Sequence, residues 1–356
     1  MKDRPLKLMD GMNLDKHEGA LVHDPSNMFY LSGYTGEGYV LIARDALTVV
    51  TDFRYTEQAE KQAVGFAVAM TDKDHTAESV LADLCQAQGL DTLYYEDDSL
   101  TVKDFQGYKN ALPGVEWKSL DMRVQRQREV KDEDELALMS KACQITGDAF
   151  ERILSEIREG VTEKELALKL DFDMLSHGAS GIAFSTIVAA GAHGSLPHAV
   201  PGDYKIRKGD MITMDFGAKF GGYCADMTRT VALGKPTDEM HKVYETVLAA
   251  QQKAQNAVMA GKCCRDIDAI ARNYIDQAGY AGRFGHGLGH SVGIDIHENP
   301  RCSTTCNAIL KENQIMTVEP GIYLPGVGGV RIENSVIVKK DGCVSMTKPS
   351  IELIIL

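Results

Sequence analysis

Apolar residues recur along this chain in two rhythms. Up to about residue 124, short apolar runs alternate with amphipathic stretches. Gly38–Ala43 (GYVLIA) and Leu47–Thr51 (LTVVT) predict buried strands joined by a turn at 44–46. Phe66–Met70 and Thr92–Tyr95 predict two more strands, with helices over Tyr55–Ala63 and Thr76–Gln88. Alternation of this kind predicts an α/β domain. It contains no ionisable cluster suited to chemistry.

Beyond residue 124 the apolar period lengthens. Residues 122–131 (MRVQRQREVK) are polar and basic and lead into the acidic run Asp132–Glu135, a start suited to a helix N-terminus. A boundary there divides the chain into domains 1–124 and 125–356. A helix is predicted to about Arg158, with Leu136, Met139, Ala142, Cys143, Ile145, Ala149 and Ile153 on its apolar side. Thr162, with Glu165 three residues on, has the capping-box pattern for a second helix to about Leu175. Strands are expected over 184–190, 211–217 and 223–232, helices over 237–260 and 265–277, then strands over 314–319 and 329–339.

This order contains a repeat: two helices and a strand pair occur over 131–232 and again over 237–339. Met211–Gly217 (MITMDFG) aligns with Ile315–Gly321 (IMTVEPG), and the next strand supplies Asp226 in one copy and Glu333 in the other. A duplicated αα-ββ unit predicts an α+β domain with pseudo-twofold symmetry, each half offering two carboxylates to a shared centre. Two carboxylates about 4 Å apart repel by roughly 4 kcal/mol at an effective dielectric of 20. Asp215, Asp226, Glu319 and Glu333 together therefore call for divalent cations. The stretch Phe284–Pro300 (FGHGLGHSVGIDIHENP) adds His286, His290 and His297 among four glycines. Histidine with carboxylates suits Mn²⁺, Co²⁺ or Zn²⁺ better than Mg²⁺. His193 and His198 lie in a Gly/Pro-rich loop directly after a predicted strand, where functional residues concentrate.

Charge and cysteines narrow the classes. A formal net charge of −13 argues against nucleic acid and anionic membranes as partners. Eight cysteines form no CxxC pair and suggest no disulfide framework; Cys302 and Cys306 lack the second ligand pair of a structural zinc site. The N-terminus has no apolar segment of the secretory type, and no run is long enough to span a membrane. Together these features predict a cytoplasmic protein.

With these residues in view, the chain resembles the pita-bread metallopeptidases: aminopeptidase P, prolidase, methionine aminopeptidase and the metal-free relative creatinase. The resemblance rests on PHAVPGD (197–203), MDFG with ADMTRT eleven residues on, FGHGLGH with IHENP, TVEPGIY, and GGVRIEN fourteen residues after Glu319. SNMFYLSGYTGEGYVLI and VVTDFRYTEQA are similar to the creatinase-type N-terminal domain, which methionine aminopeptidases lack. The resemblance implies a pita-bread catalytic domain behind a smaller α/β domain. It implies two divalent ions, Mn²⁺ first, held by Asp215, Asp226, His290, Glu319 and Glu333. It implies that His198, His286 and His297 hold substrate and tetrahedral intermediate, that Glu319 shuttles the proton, and that Arg331 supports the site. Arg301 resembles an arginine common in prolidases, whose dipeptide substrate ends in a carboxylate at that point. The expected activity is Xaa-Pro aminopeptidase on proline-containing peptides, with Xaa-Pro dipeptidase (prolidase) as the alternative and a non-catalytic binding module third. A homodimer is expected by the same resemblance. His193 departs from the small or amide residue expected at its position, and its role is left open.

Overall fold

The computed structural model describes residues 3–356, which fall into two compact units divided between Arg128 and Glu129. The division comes four residues later than the boundary expected at 124/125. Val124 and Arg128 of the short helix Arg123–Arg128 are buried, and the Arg128 guanidinium donates to Asn27 Oδ1 (2.7 Å), so this helix folds with the first unit.

The first unit is a six-stranded mixed sheet in the order Ala67–Thr71, Ala46–Asp52, Tyr39–Ala43, Glu18–Val22, Thr92–Tyr95, Glu116–Ser119. Tyr39–Ala43 is buried at every position, as its unbroken apolar run predicted. Glu18–Val22 and Glu116–Ser119 were not anticipated. The former has only four apolar residues, and the latter is an edge strand, EWKS, with no buried position. The helix Val102–Ala111 was also missed, because it buries only Tyr108 and shows no apolar stripe.

In the second unit both predicted caps form. The Asp132 side chain accepts from Glu135 N while Glu135 reaches back to Asp132 N, and Thr162 and Glu165 do the same. Helices Glu133–Ile153 and Glu163–Ser176 pack on a three-stranded antiparallel sheet of Ile187–Ala190, Met211–Phe216 and Met227–Ala232. Helices Asp238–Ala257 and Cys264–Ile275 pack on Ile315–Val318, Gly321–Leu324, Gly328–Arg331 and Asn334–Lys339. Each copy of the repeat has its own buried core, one around Phe150, Leu166, Met214 and Phe216, the other around Tyr244, Ile267, Met316 and Ile332.

The structure corrects two strands in the same way. The expected strand 223–232 is interrupted at Ala225–Asp226, and the expected strand 329–339 is interrupted at Ile332–Glu333. At each break the chain changes partner. The Glu333 amide donates not to its own hairpin but to Thr228 O of the other copy (3.1 Å), and Ser335 Oγ donates to Asp226 O (2.9 Å). The strand expected from 184 begins at Ile187, and the first long helix ends at Ile153 in a 3-10 turn over Leu154–Glu156. Among the described residues, no helix is long and apolar enough to cross a membrane.

Candidate active site

The two strand breaks lie side by side, and the carboxylates they carry converge. One oxygen from each of Asp215, Asp226 and Glu333 lies within 4.8 Å of the others. Asp215 sits near the end of its strand, opposite Thr228. His290 Nε2 lies 3.6 Å from Asp226 Oδ2 and 3.4 Å from Glu319 Oε1. A glycine makes the last approach possible: a Cβ on Gly289 would fall 2.0 Å from Thr317 O. Thr317 then ties the two together, its hydroxyl accepting from His290 N (2.9 Å) and donating to Glu319 Oε1 (3.0 Å).

Electrostatics show why this arrangement is incomplete on its own. Burial, then repulsion from Glu333, Asp215 and Glu319, pushes the Asp226 carboxyl well above its ordinary value. Burial and the Glu319 and Asp215 charges do the same to Glu333. Glu319 is raised to about 7 by burial, with Arg331 opposing. Burial pushes the His290 ring down to about 4, so it is neutral at pH 7. Its Nδ1 lies 3.1 Å from Ser291 O, which fixes the proton there and leaves the Nε2 lone pair facing the acids. Asp215 Oδ1 and Glu333 Oε1 are buried with no hydrogen-bond partner. Unpartnered buried carboxylate oxygens are costly, and divalent cations satisfy them. Oxygen donors with one neutral imidazole fit such ions.

Behind this cluster stands Arg331, 4% exposed. It donates to Asp215 Oδ2 (2.7 Å), Thr228 Oγ1 (3.1 Å) and Tyr323 OH (3.0 Å). The Thr228 hydroxyl in turn donates a hydrogen bond to Glu333 Oε2 (2.7 Å). One guanidinium thus orients Asp215 directly and Glu333 through a hydroxyl.

The remaining predicted residues surround a cavity of about 560 Å³ that also reaches the acids. His198, His297 and Arg301 are exposed on its wall. The His297 ring lies 4.5 Å from that of His290. Partial burial of the ring and then the Arg301 charge lower its pKa. Arg301 is the strand partner of His290. His286 is placed differently from the other two. Its Nδ1 meets Gly287 O and its Nε2 meets Tyr323 OH, both at 2.8 Å, so both ring nitrogens are already engaged. His193 does not reach the acids; it bonds Glu163.

Sequence reasoning missed Thr228, Thr317, Tyr323 and Arg229. Arg229, 1% exposed, donates to Glu333 O, Asn334 Oδ1, Pro349 O and Ser350 O. Its signal was present as an arginine inside a strand buried at every position.

Clustered buried carboxylates, one neutral histidine and an open cavity define a metal-dependent hydrolase centre, and comparison with known proteins agrees. Residues 137–340 match the model of metallopeptidase family M24, and residues 4–130 match the creatinase/prolidase N-terminal domain. The Xaa-Pro dipeptidase of Pyrococcus furiosus is 35% identical over 99% of this chain and 100% of its own length. A solved Xaa-Pro dipeptidase from Bacillus anthracis superposes with a TM-score of 0.95 at 38% identity, covering 99% of both chains. An X-Pro aminopeptidase from Thermotoga maritima gives 0.92 at 35% identity, covering 98% of this chain and 100% of its own. The chain belongs to metallopeptidase family M24, in its Xaa-Pro peptidase branch. It is a metal-dependent peptidase with the pita-bread fold and a creatinase-type N-terminal domain.

Proposed function

We propose that this chain is an Xaa-Pro dipeptidase, which reverses the leaning toward aminopeptidase P drawn from sequence alone. The observation that carries the reading is Arg301, exposed on the cavity wall as the strand partner of His290. A dipeptide's free carboxylate lies one residue beyond the scissile bond, and a guanidinium beside the acids is suited to receive it. The names of the relatives from Pyrococcus furiosus and Bacillus anthracis support the same reading.

Asp215, Asp226, His290, Glu319 and Glu333 would hold two divalent ions, Mn²⁺ by preference; the unpartnered oxygens of Asp215 and Glu333 and their convergence with Asp226 support metal ligation by these acids. Such ions activate a water and polarise the scissile carbonyl. Glu319, whose Oε1 lies 3.4 Å from His290 Nε2, would take the proton from the attacking water and return it to the proline nitrogen. That return is required, because a tertiary amide nitrogen leaves poorly without protonation. His198 and His297 donate to the carbonyl oxygen as negative charge develops on it. His286 keeps Tyr323 in place and Tyr323 accepts from Arg331, so this pair steadies the guanidinium. Homodimerisation is proposed on family resemblance.

The test is Leu-Pro against Leu-Pro-Gly with the Mn²⁺-loaded enzyme. Hydrolysis of the dipeptide with a clearly higher kcat/KM is expected. Preference for the tripeptide would return the assignment to aminopeptidase P.

A further inference from the structure

The loop that carries His198 is closed at both ends by a single buried carboxylate. Glu163 is the first residue of the helix Glu163–Ser176, and its side chain is 0% exposed. Its Oε1 accepts from Ala190 N (2.8 Å), at the start of the loop, and its Oε2 accepts from Gly202 N (3.1 Å), at the end. His193 Nδ1 lies 2.9 Å from both oxygens. The helix start adds backbone bonds to the same segment, Lys164 N to Gly202 O and Glu163 N to Tyr204 O.

Two further contacts hold the loop from its inner side. Arg331 Nη1 donates to Pro197 O (3.4 Å), the residue before His198. Gly194 presses on the strand Gly328–Arg331 so closely that a Cβ on Gly329 would fall 2.0 Å from Gly194 O. Between these anchors Leu196, His198 and Val200 are exposed and only Gly194 and Ala199 are buried, so the bonds at its ends and these inner contacts share in holding the segment. A carboxylate at a helix N-terminus is a stable anchor, and its charge strengthens each bond it accepts.

We propose that Glu163 and His193 are positioning residues of the reaction: they hold the 190–202 loop so that His198 faces the substrate carbonyl. The inference rests on the substrate role given to His198 above. It assigns His193, left open by the sequence, to an arm of the loop clamp and not to the metal site. Neither residue touches substrate; both act through His198.

A double-mutant cycle with Leu-Pro and the Mn²⁺-loaded enzyme tests this, with bound metal measured by plasma emission spectrometry. His193→Ala is expected to lower kcat/KM about tenfold while leaving metal content unchanged. His193→Asn, whose amide nitrogen stands near the place of Nδ1, is expected to restore it to within about threefold. In a His198→Ala background, His193→Ala is expected to cost less than about twofold, because the group it positions is gone. Equal fold losses in both backgrounds, or no loss from His193→Ala alone, would overturn the inference. Should His193→Ala not fold, Glu163→Gln is read in the same cycle with the same criteria. If His198→Ala retains full activity, the substrate role of His198 has failed and the inference with it, a result distinct from additivity.

Discussion

Replacing Arg331 by lysine separates charge from geometry at this site. Arginine makes four donations, to Asp215 Oδ2, Thr228 Oγ1, Tyr323 OH and Pro197 O, from three different nitrogens. A lysine ammonium reaches the region of one of them and keeps the positive charge. The bond lost from Nε matters most. It holds Thr228 Oγ as an acceptor, so that the hydroxyl proton points at Glu333 Oε2. Without it Thr228 is free to turn, and Glu333 loses its orientation although it touches nothing that was mutated. Groups that orient metal ligands are worth about 10–100-fold in metal affinity, or about 1.4–2.8 kcal/mol. Arg331→Lys is therefore expected to weaken Mn²⁺ binding by about 10–100-fold. Arg331→Met, which also removes the charge facing Asp215, is expected to weaken it further. Titration against a fluorescent metal indicator measures this directly, with circular dichroism as the check on folding. A folded Arg331→Lys enzyme binding Mn²⁺ within about twofold of the unmodified chain would refute the relay through Thr228.

Two other outcomes follow from the same structure. Arg301→Ala is expected to lower kcat/KM for Leu-Pro by about 10–100-fold while leaving a carboxamide-terminated dipeptide nearly unaffected, since only the former presents a carboxylate; equal losses on both would remove Arg301 from substrate recognition. His23, in the N-terminal unit, meets Tyr108 OH at 3.0 Å and is pushed down to about 4 by burial, with Asp104 opposing. Between pH 6.5 and 4 the unfolded chain therefore binds the proton that the folded chain excludes. The stability contributed by this ring is present above pH 6.5 and is lost as pH falls toward 4. Proton NMR of the ring is expected to show a midpoint near 4, and a midpoint near 6.5 would contradict its burial.

Much of this molecule was legible in its sequence because the signals were local. Asp132 with Glu135, and Thr162 with Glu165, announce helix starts through bonds made within four residues. The five-residue apolar strand Tyr39–Ala43 needs no partner to be recognised as buried. The doubled wording of MITMDFG and IMTVEPG disclosed the repeat, and with it that Asp215, Asp226, Glu319 and Glu333 belong to one centre. Tertiary structure alone decided what depends on which edges meet. The strand breaks at Asp226 and Glu333 arise because the chain there bonds the opposite copy, and no residue in ADMTRT or RIEN states that Glu333 N will find Thr228 O. Periodicity describes one strand against one partner, so a change of partner reads as a continuous run. The histidines divided for the same reason. His286, His290 and His297 share one glycine-rich stretch, yet one is engaged at both nitrogens by Gly287 and Tyr323, one aims Nε2 at the acids, and one lies exposed on the cavity wall. His193 meets Glu163, thirty residues away in sequence and 2.9 Å away in space, a contact no local pattern announces.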